Sequence, residues 1–124
     1  FQQFFLVKKY IEKKYKSKII LCKTIRDKNK LALSSRNLHL NKKYLIKAGK
    51  IARELISYKI KLQKKKITNK LILIKKRELE KFYNIKVEYL EVRNKKNLQL
   101  SYNIKNSKIF LSYYLKKIRL IDNF

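Results

Sequence analysis

The spacing of apolar residues changes period once in this chain, at Tyr83–Asn84, and that change limits the fold more than any other feature. Upstream the recurrence is helical. Leu45, Ala48, Ala52, Leu55 and Leu62 share one face of a helix that Asn41 can cap. Leu71, Ile74, Leu79 and Phe82 are expected to form the inward face of a second helix, capped by Thr68 or Asn69. Downstream the period is two. In "KVEYLEVR" (86–93), Val87, Tyr89 and Glu91 alternate with Glu88, Leu90 and Val92. "KIFLSYYL" (108–115) and "IRLIDN" (118–123) are further strands, joined by a short turn at Lys116–Lys117. Short joins between consecutive strands imply an antiparallel sheet, packed on the helices near 41–65 and 69–83.

The first forty residues read differently. Phe4, Val7, Ile11 and Tyr15 recur at helical spacing, so Phe1 to Tyr15 is expected to be helical. The chain opens on Phe1 within that helix, which suggests that the sequence starts inside a longer protein. "KIILCKTIR" (18–26) is β-branched and apolar and reads as a buried strand, with Cys22 inside it. "DKNK" (27–30) is turn-like. The expected order is helix, strand, loop, two helices and a small sheet.

Charge narrows the function less than its size suggests. The formal net charge is +27, which points to nucleic acid or an anionic membrane. Yet residues 1–62 carry 18 Lys and Arg and residues 63–124 carry 17, together the 35 of the whole chain. Charge spread so evenly is neither a basic tail nor a groove. Only six of these residues are Arg, the better bidentate phosphate ligand. With one Gly, no Pro, three Ala and sixteen Ile, the composition fits drift toward AT-rich codons. No apolar run reaches the length of about 18 residues that spans a bilayer, and the start lacks the layout of a signal peptide. A lone cysteine permits no internal disulfide. A cytoplasmic chain that works without a membrane is expected.

Against this background Leu31 to Asn41 is the longest stretch without lysine, and it contains "LALSSRN" (31–37) and the sole histidine, His39. Ser34, Ser35 and Arg36, placed just before a helix, offer hydroxyls, backbone N–H groups and a guanidinium, a suitable seat for phosphate. The same residue types also make ordinary polar loops. His39, between Leu38 and Leu40, reads as a half-buried loop residue; it has no neighbouring Cys, His or carboxylates from which to build a metal site. Asp122 in "LIDN" suits tying down a chain end. Gln2 and Gln3 carry amides that can both donate to and accept from a hydroxyl- and carboxylate-bearing small molecule.

"KTIRDKNKLALSSRN" (23–37) resembles a segment of the pantothenate synthetase (pantoate–β-alanine ligase) family that reads Pro-Thr-Val-Arg, an acidic turn, then Gly-Leu-Ala-Met/Leu-Ser-Ser-Arg-Asn. "FQQ" (1–3), "VEYLEVRN" (87–94) and "RLIDN" (119–123) are similar to three further family segments, in the same order and spacing. The resemblance implies an α/β protein. Residues 1–23 would be the end of a Rossmann-like nucleotidylyltransferase domain, and residues 24–124 a small α+β lid domain with an antiparallel sheet. It further implies that Ile25, Leu33, Ser34, Ser35 and Arg36 bind ATP, that Gln3 binds pantoate, and that Mg²⁺ accompanies the nucleotide. No catalytic residue and no metal ligand falls in this portion. The substrates implied are pantoate, β-alanine and ATP, joined through a pantoyl adenylate, by an enzyme of a family in which homodimers are typical.

Two departures from the family pattern stand out. Its proline aligns with Lys23, and its Asp-Gly turn becomes Asn29-Lys30, which removes a residue that tolerates positive φ. The family's N-terminal half, with its His-x-Gly-His motif, a second pantoate glutamine and a Lys-Asp pair, has no counterpart here. The resemblance therefore implies a C-terminal portion. The rival reading is a small lysine-rich RNA-binding protein that uses Lys for phosphates and its Tyr and Phe for stacking. A decayed, inactive remnant is a third.

Overall fold

The computed structural model describes residues 1–64 and 66–124. Four helical elements precede three strands: α1 (Gln2–Tyr15), a 3-10 turn (Ser35–His39), α2 (Lys42–Leu62), α3 (Asn69–Tyr83), β1 (Lys86–Asn94), β2 (Ser107–Leu115) and β3 (Ile118–Asn123). The strands form one antiparallel sheet in the order β1-β2-β3. No helix among the described residues is long and apolar enough to cross a membrane.

Local chemistry sets the helix limits. The Asn41 side chain accepts from the Tyr44 N–H at 3.1 Å and opens α2. Thr68 accepts from the Leu71 N–H at 3.2 Å and opens α3. Each such cap satisfies a donor left without a partner in the first turn and contributes about 1 kcal/mol. Asn84, in the left-handed conformation at φ 46°, ends α3.

The core lies between one face of the sheet and helices α2 and α3. Ile51, Leu55, Leu79, Ile109 and Leu111 have no exposed surface. Cross-strand partners on that face are Leu90 with Leu111, Val92 with Ile109, and Tyr113 with Leu120. Full burial of each aliphatic side chain contributes roughly 1.5–3 kcal/mol. A register shift between Val87 and Tyr89 makes Glu88 the bulge residue, so Val87 is buried on the same side as Leu90 and Val92. The freed Glu88 carboxylate accepts from Ser112 at 2.7 Å and from Arg119 at 2.6 Å, and these contacts hold it below the usual carboxylate range.

Three expectations fail, each for a physical reason. Residues 18–24 form no strand, and Cys22 is exposed. β-Branched residues need ladder partners to make a strand, and in this stretch only Arg26 has one, through an isolated bridge to Ala32. The inward face of α3 is rotated by about one residue. Ile72, Leu79 and Tyr83 face the core, whereas Ile74 and Phe82 are exposed. Tyr83 takes the inner aromatic position because its hydroxyl can donate to Glu54 Oε2 on α2, at 2.6 Å. His39 is exposed rather than half-buried.

Candidate functional site

The lysine-free loop hangs from a small hairpin. Arg26 bridges Ala32, and the Leu33 N–H donates to the Ile25 carbonyl at 3.0 Å. The Asp27 carboxylate closes the turn by accepting from the N–H groups of Asn29 (2.8 Å) and Leu31 (2.9 Å). Lys30 stands at φ 69°, in the left-handed region. The turn thus keeps a conformation that suits glycine while carrying a Cβ, at a cost of about 1–2 kcal/mol.

Both sides of this turn are fastened. On one side Asn29 rests on Gly49 of α2, and Arg53 Nη1 donates to the Asn29 carbonyl at 3.1 Å. On the other, the Arg26 guanidinium reaches the last strand. Nη1 and Nη2 donate to Asp122 Oδ2 (2.7 Å) and Oδ1 (2.9 Å), and further to the carbonyls of Lys30 (2.9 Å) and Asn123 (3.0 Å). The guanidinium also lies 4.9 Å from the centroid of the Phe124 ring. Asp122 does tie down a chain end, as its setting in "LIDN" suggests. The role of Arg26 was not evident from the sequence, because its partner lies 96 positions away.

The two ends of the lysine-free loop are held by buried side chains, Leu31 in the hairpin and Leu40 beyond it. Between them Leu33, Ser34, Ser35, Arg36, Leu38 and His39 are exposed. Ser34 starts the 3-10 turn, its Oγ accepting from the Arg36 N–H at 3.3 Å. This 3-10 turn precedes α2, which begins at Lys42 after its expected cap, Asn41. Asn37 fixes the far side by donating to the Ala32 carbonyl at 2.9 Å. Arg36 takes part in none of the ion pairs among the described residues. The outcome is a fixed root carrying an open tip that displays two hydroxyls and a guanidinium.

Of the residues singled out from sequence, the fold brings together Ile25, Leu33, Ser34, Ser35 and Arg36. Gln3 stands apart, exposed on the first turn of α1. Phe1, which precedes α1, does share a cavity of about 560 Å³ with residues 21–24 and Arg26, lined further by Lys59 and Lys108. Burial, together with the nearby cations Lys59, Lys95 and Arg26, pushes the Lys108 ammonium below its ordinary value. Among the described residues no three His, Cys, Asp or Glu side chains converge as a metal site would require.

The sequence model of one family, described as Pantoate-beta-alanine ligase, matches residues 1–124. The chain belongs to the pantoate–β-alanine ligase family. Pantothenate synthetase of Wigglesworthia glossinidia brevipalpis is 37% identical over 134 residues, covering 99% of this chain and 45% of its own length. That of Flavobacterium psychrophilum is 34% identical over 128 residues, with the same two shares. The crystal structure of pantothenate synthetase from Thermus thermophilus superposes with a TM-score of 0.79 at 22% identity, covering 99% of this chain and 45% of that one. The α/β fold, with its small antiparallel sheet, is therefore that of a pantoate–β-alanine ligase portion. The chain spans about 45% of the length of these relatives.

Proposed function

We propose that this chain is the phosphate-binding portion of a pantoate–β-alanine ligase, with residues 1–23 closing a Rossmann-like nucleotide-binding domain and residues 24–124 forming its lid. The observation that carries the reading is the exposed Ser34–Ser35–Arg36 tip on a doubly fastened hairpin, within a chain matched by the family over residues 1–124. In this reading the pantoate carboxylate attacks the α-phosphorus of ATP. Pantoyl adenylate forms and the bond to pyrophosphate breaks. The amine of β-alanine then attacks the activated carbonyl, loses a proton, and AMP leaves.

Each residue has a defined task. Arg36 grips phosphate oxygens with two prongs and stabilises the charge that moves onto the departing pyrophosphate. Ser34 and Ser35 orient the phosphates, with the Ser34 O–H still free to donate while its oxygen caps the turn. Ile25 and Leu33, adjacent across the hairpin, line the nucleotide site, and Gln3 holds pantoate. Mg²⁺ fits as an ion carried in on the phosphates, since Mg²⁺ commonly keeps water and phosphate oxygens as ligands. The remaining groups come from the half of the enzyme that lies outside this chain. A cytoplasmic homodimer, typical of the family, completes the proposal.

The test is pantoate-dependent pyrophosphate release by the complete two-half enzyme. Arg36→Ala removes a charge-assisted contact of roughly 1.5–3 kcal/mol and is expected to slow release about 10- to 150-fold. Arg36→Lys recovers part of that, because an ammonium lacks the planar fork. Lys28→Ala removes the same unit of charge from the neighbouring turn and is expected to be nearly silent. Equal losses for Arg36→Ala and Lys28→Ala would mean that only general basicity mattered.

A further inference from the structure

We propose that Arg26 is the positioning residue of the Ser34–Arg36 tip, fixing where the loop is presented rather than how it is folded. The inference rests on the phosphate-loop reading above and adds a residue to it. The hairpin has bonds of its own that do not use the Arg26 side chain. The Leu33 to Ile25 backbone bond and the two bonds accepted by Asp27 define the turn from within. Arg26 contributes something separate, an attachment of that hairpin to the end of β3.

The attachment uses every terminal N–H of the guanidinium. Its four terminal N–H donors meet four acceptors, two on the Asp122 carboxylate and two backbone carbonyls, one in the turn and one at the chain end. The Asp122 side chain is only 7% exposed, so the pair is shielded from water and from salt. Most cations of this chain are lysines, yet a lysine here could not reproduce the contact. One ammonium nitrogen cannot span both carboxylate oxygens and also reach carbonyls on either side. Loosening this contact leaves a folded hairpin fastened only on its α2 side, by Arg53 and Gly49, and able to shift relative to β3. Misplacing a binding group by about 1 Å can cost about 100-fold.

The experiment uses the complete two-half enzyme with Arg26→Lys, Asp122→Asn and the double variant. It follows pyrophosphate release against ATP concentration, with folded fraction by circular dichroism. The KM for ATP is expected to rise about 10- to 100-fold in each single variant while the folded fraction holds. The double variant should cost no more than the worse single one, since both break one contact. An unchanged KM for ATP, or an activity loss that only tracks lost folded protein, would overturn the proposal. If Arg26→Lys does not fold, Asp122→Glu carries the test. It keeps the charge but lengthens the carboxylate by one methylene, and an unchanged KM there also overturns it. Arg36→Ala, run in parallel, separates the two ideas. If Arg36→Ala is silent the phosphate-loop reading fails; if it is costly while Arg26→Lys leaves the KM for ATP unchanged, only the positioning role fails.

Discussion

Gly49 lies directly against Asn29: a Cβ on Gly49 would sit 2.6 Å from the Asn29 Cβ and 2.9 Å from its carbonyl oxygen. The chain's one glycine thus stands where the root of the loop meets α2. A glycine inside a helix ordinarily costs about 1 kcal/mol relative to alanine, so in open space Gly49→Ala would stabilise. Here the carbonyl cannot withdraw without losing the hydrogen bond from Arg53. Overpacking prevails, and Gly49→Ala is expected to destabilise by a net amount on the order of 1–2 kcal/mol in urea unfolding. A more stable variant would show that the turn yields freely.

Lys30 gives the opposite expectation. Its φ of 69° imposes a strain that glycine does not feel. Lys30→Gly relieves about 1–2 kcal/mol of that strain and loses about 0.4–1 kcal/mol to greater freedom of the unfolded chain. A net gain of roughly 0.5–1 kcal/mol should appear as a raised denaturant midpoint with unchanged slope.

Alkaline stability should be governed by buried phenols. Burial pushes Tyr58, Tyr83 and Tyr113 above the ordinary value of 10.0, and at Tyr83 the Glu54 carboxylate adds to the effect. Above pH 10 the unfolded chain gives up these protons while the folded chain keeps them, so stability is full below that pH and falls as pH rises. Lys59 and Lys108, pushed down by burial, act in the opposite sense and moderate the fall. Tyr113→Phe should flatten the decline in unfolding free energy between pH 10 and 12. An unaltered slope would remove Tyr113 from the explanation.

Binding to RNA should be weak, indifferent to sequence and lost as salt rises from about 50 to 200 mM. The even spread of 35 cations supplies attraction without a shaped groove. Nanomolar, sequence-selective retention on filters at physiological salt would favour the RNA-binding reading.

What could be read in advance was what local chemistry decides. Asn41 and Thr68 announce helix starts because their side chains satisfy nearby N–H groups, and the alternation after Asn84 announces strands. The resemblance of 23–37 pointed to the loop, and the fold does bring Ile25, Leu33 and Ser34–Arg36 together. What escaped depended on distant partners. Residues 18–24 have the composition of a strand but no neighbour with which to form one. Phe82 and Tyr83 are adjacent aromatics, and only the position of Glu54 on another helix decides which turns inward. The Glu88 bulge shifts the burial pattern of β1 without any mark in the alternation.

The buried side chains at Leu31 and Leu40 act as two pegs on a short rope. A chain pegged at both ends extends outward by at most half its contour, here on the order of 15 Å. A phosphate bound farther out than this is beyond the reach of the loop alone. Under the proposed reading, meeting it would require the helices and the sheet to swing together and carry the loop with them, so that engagement would depend on the travel of a whole body rather than on the slackness of the few residues between the pegs.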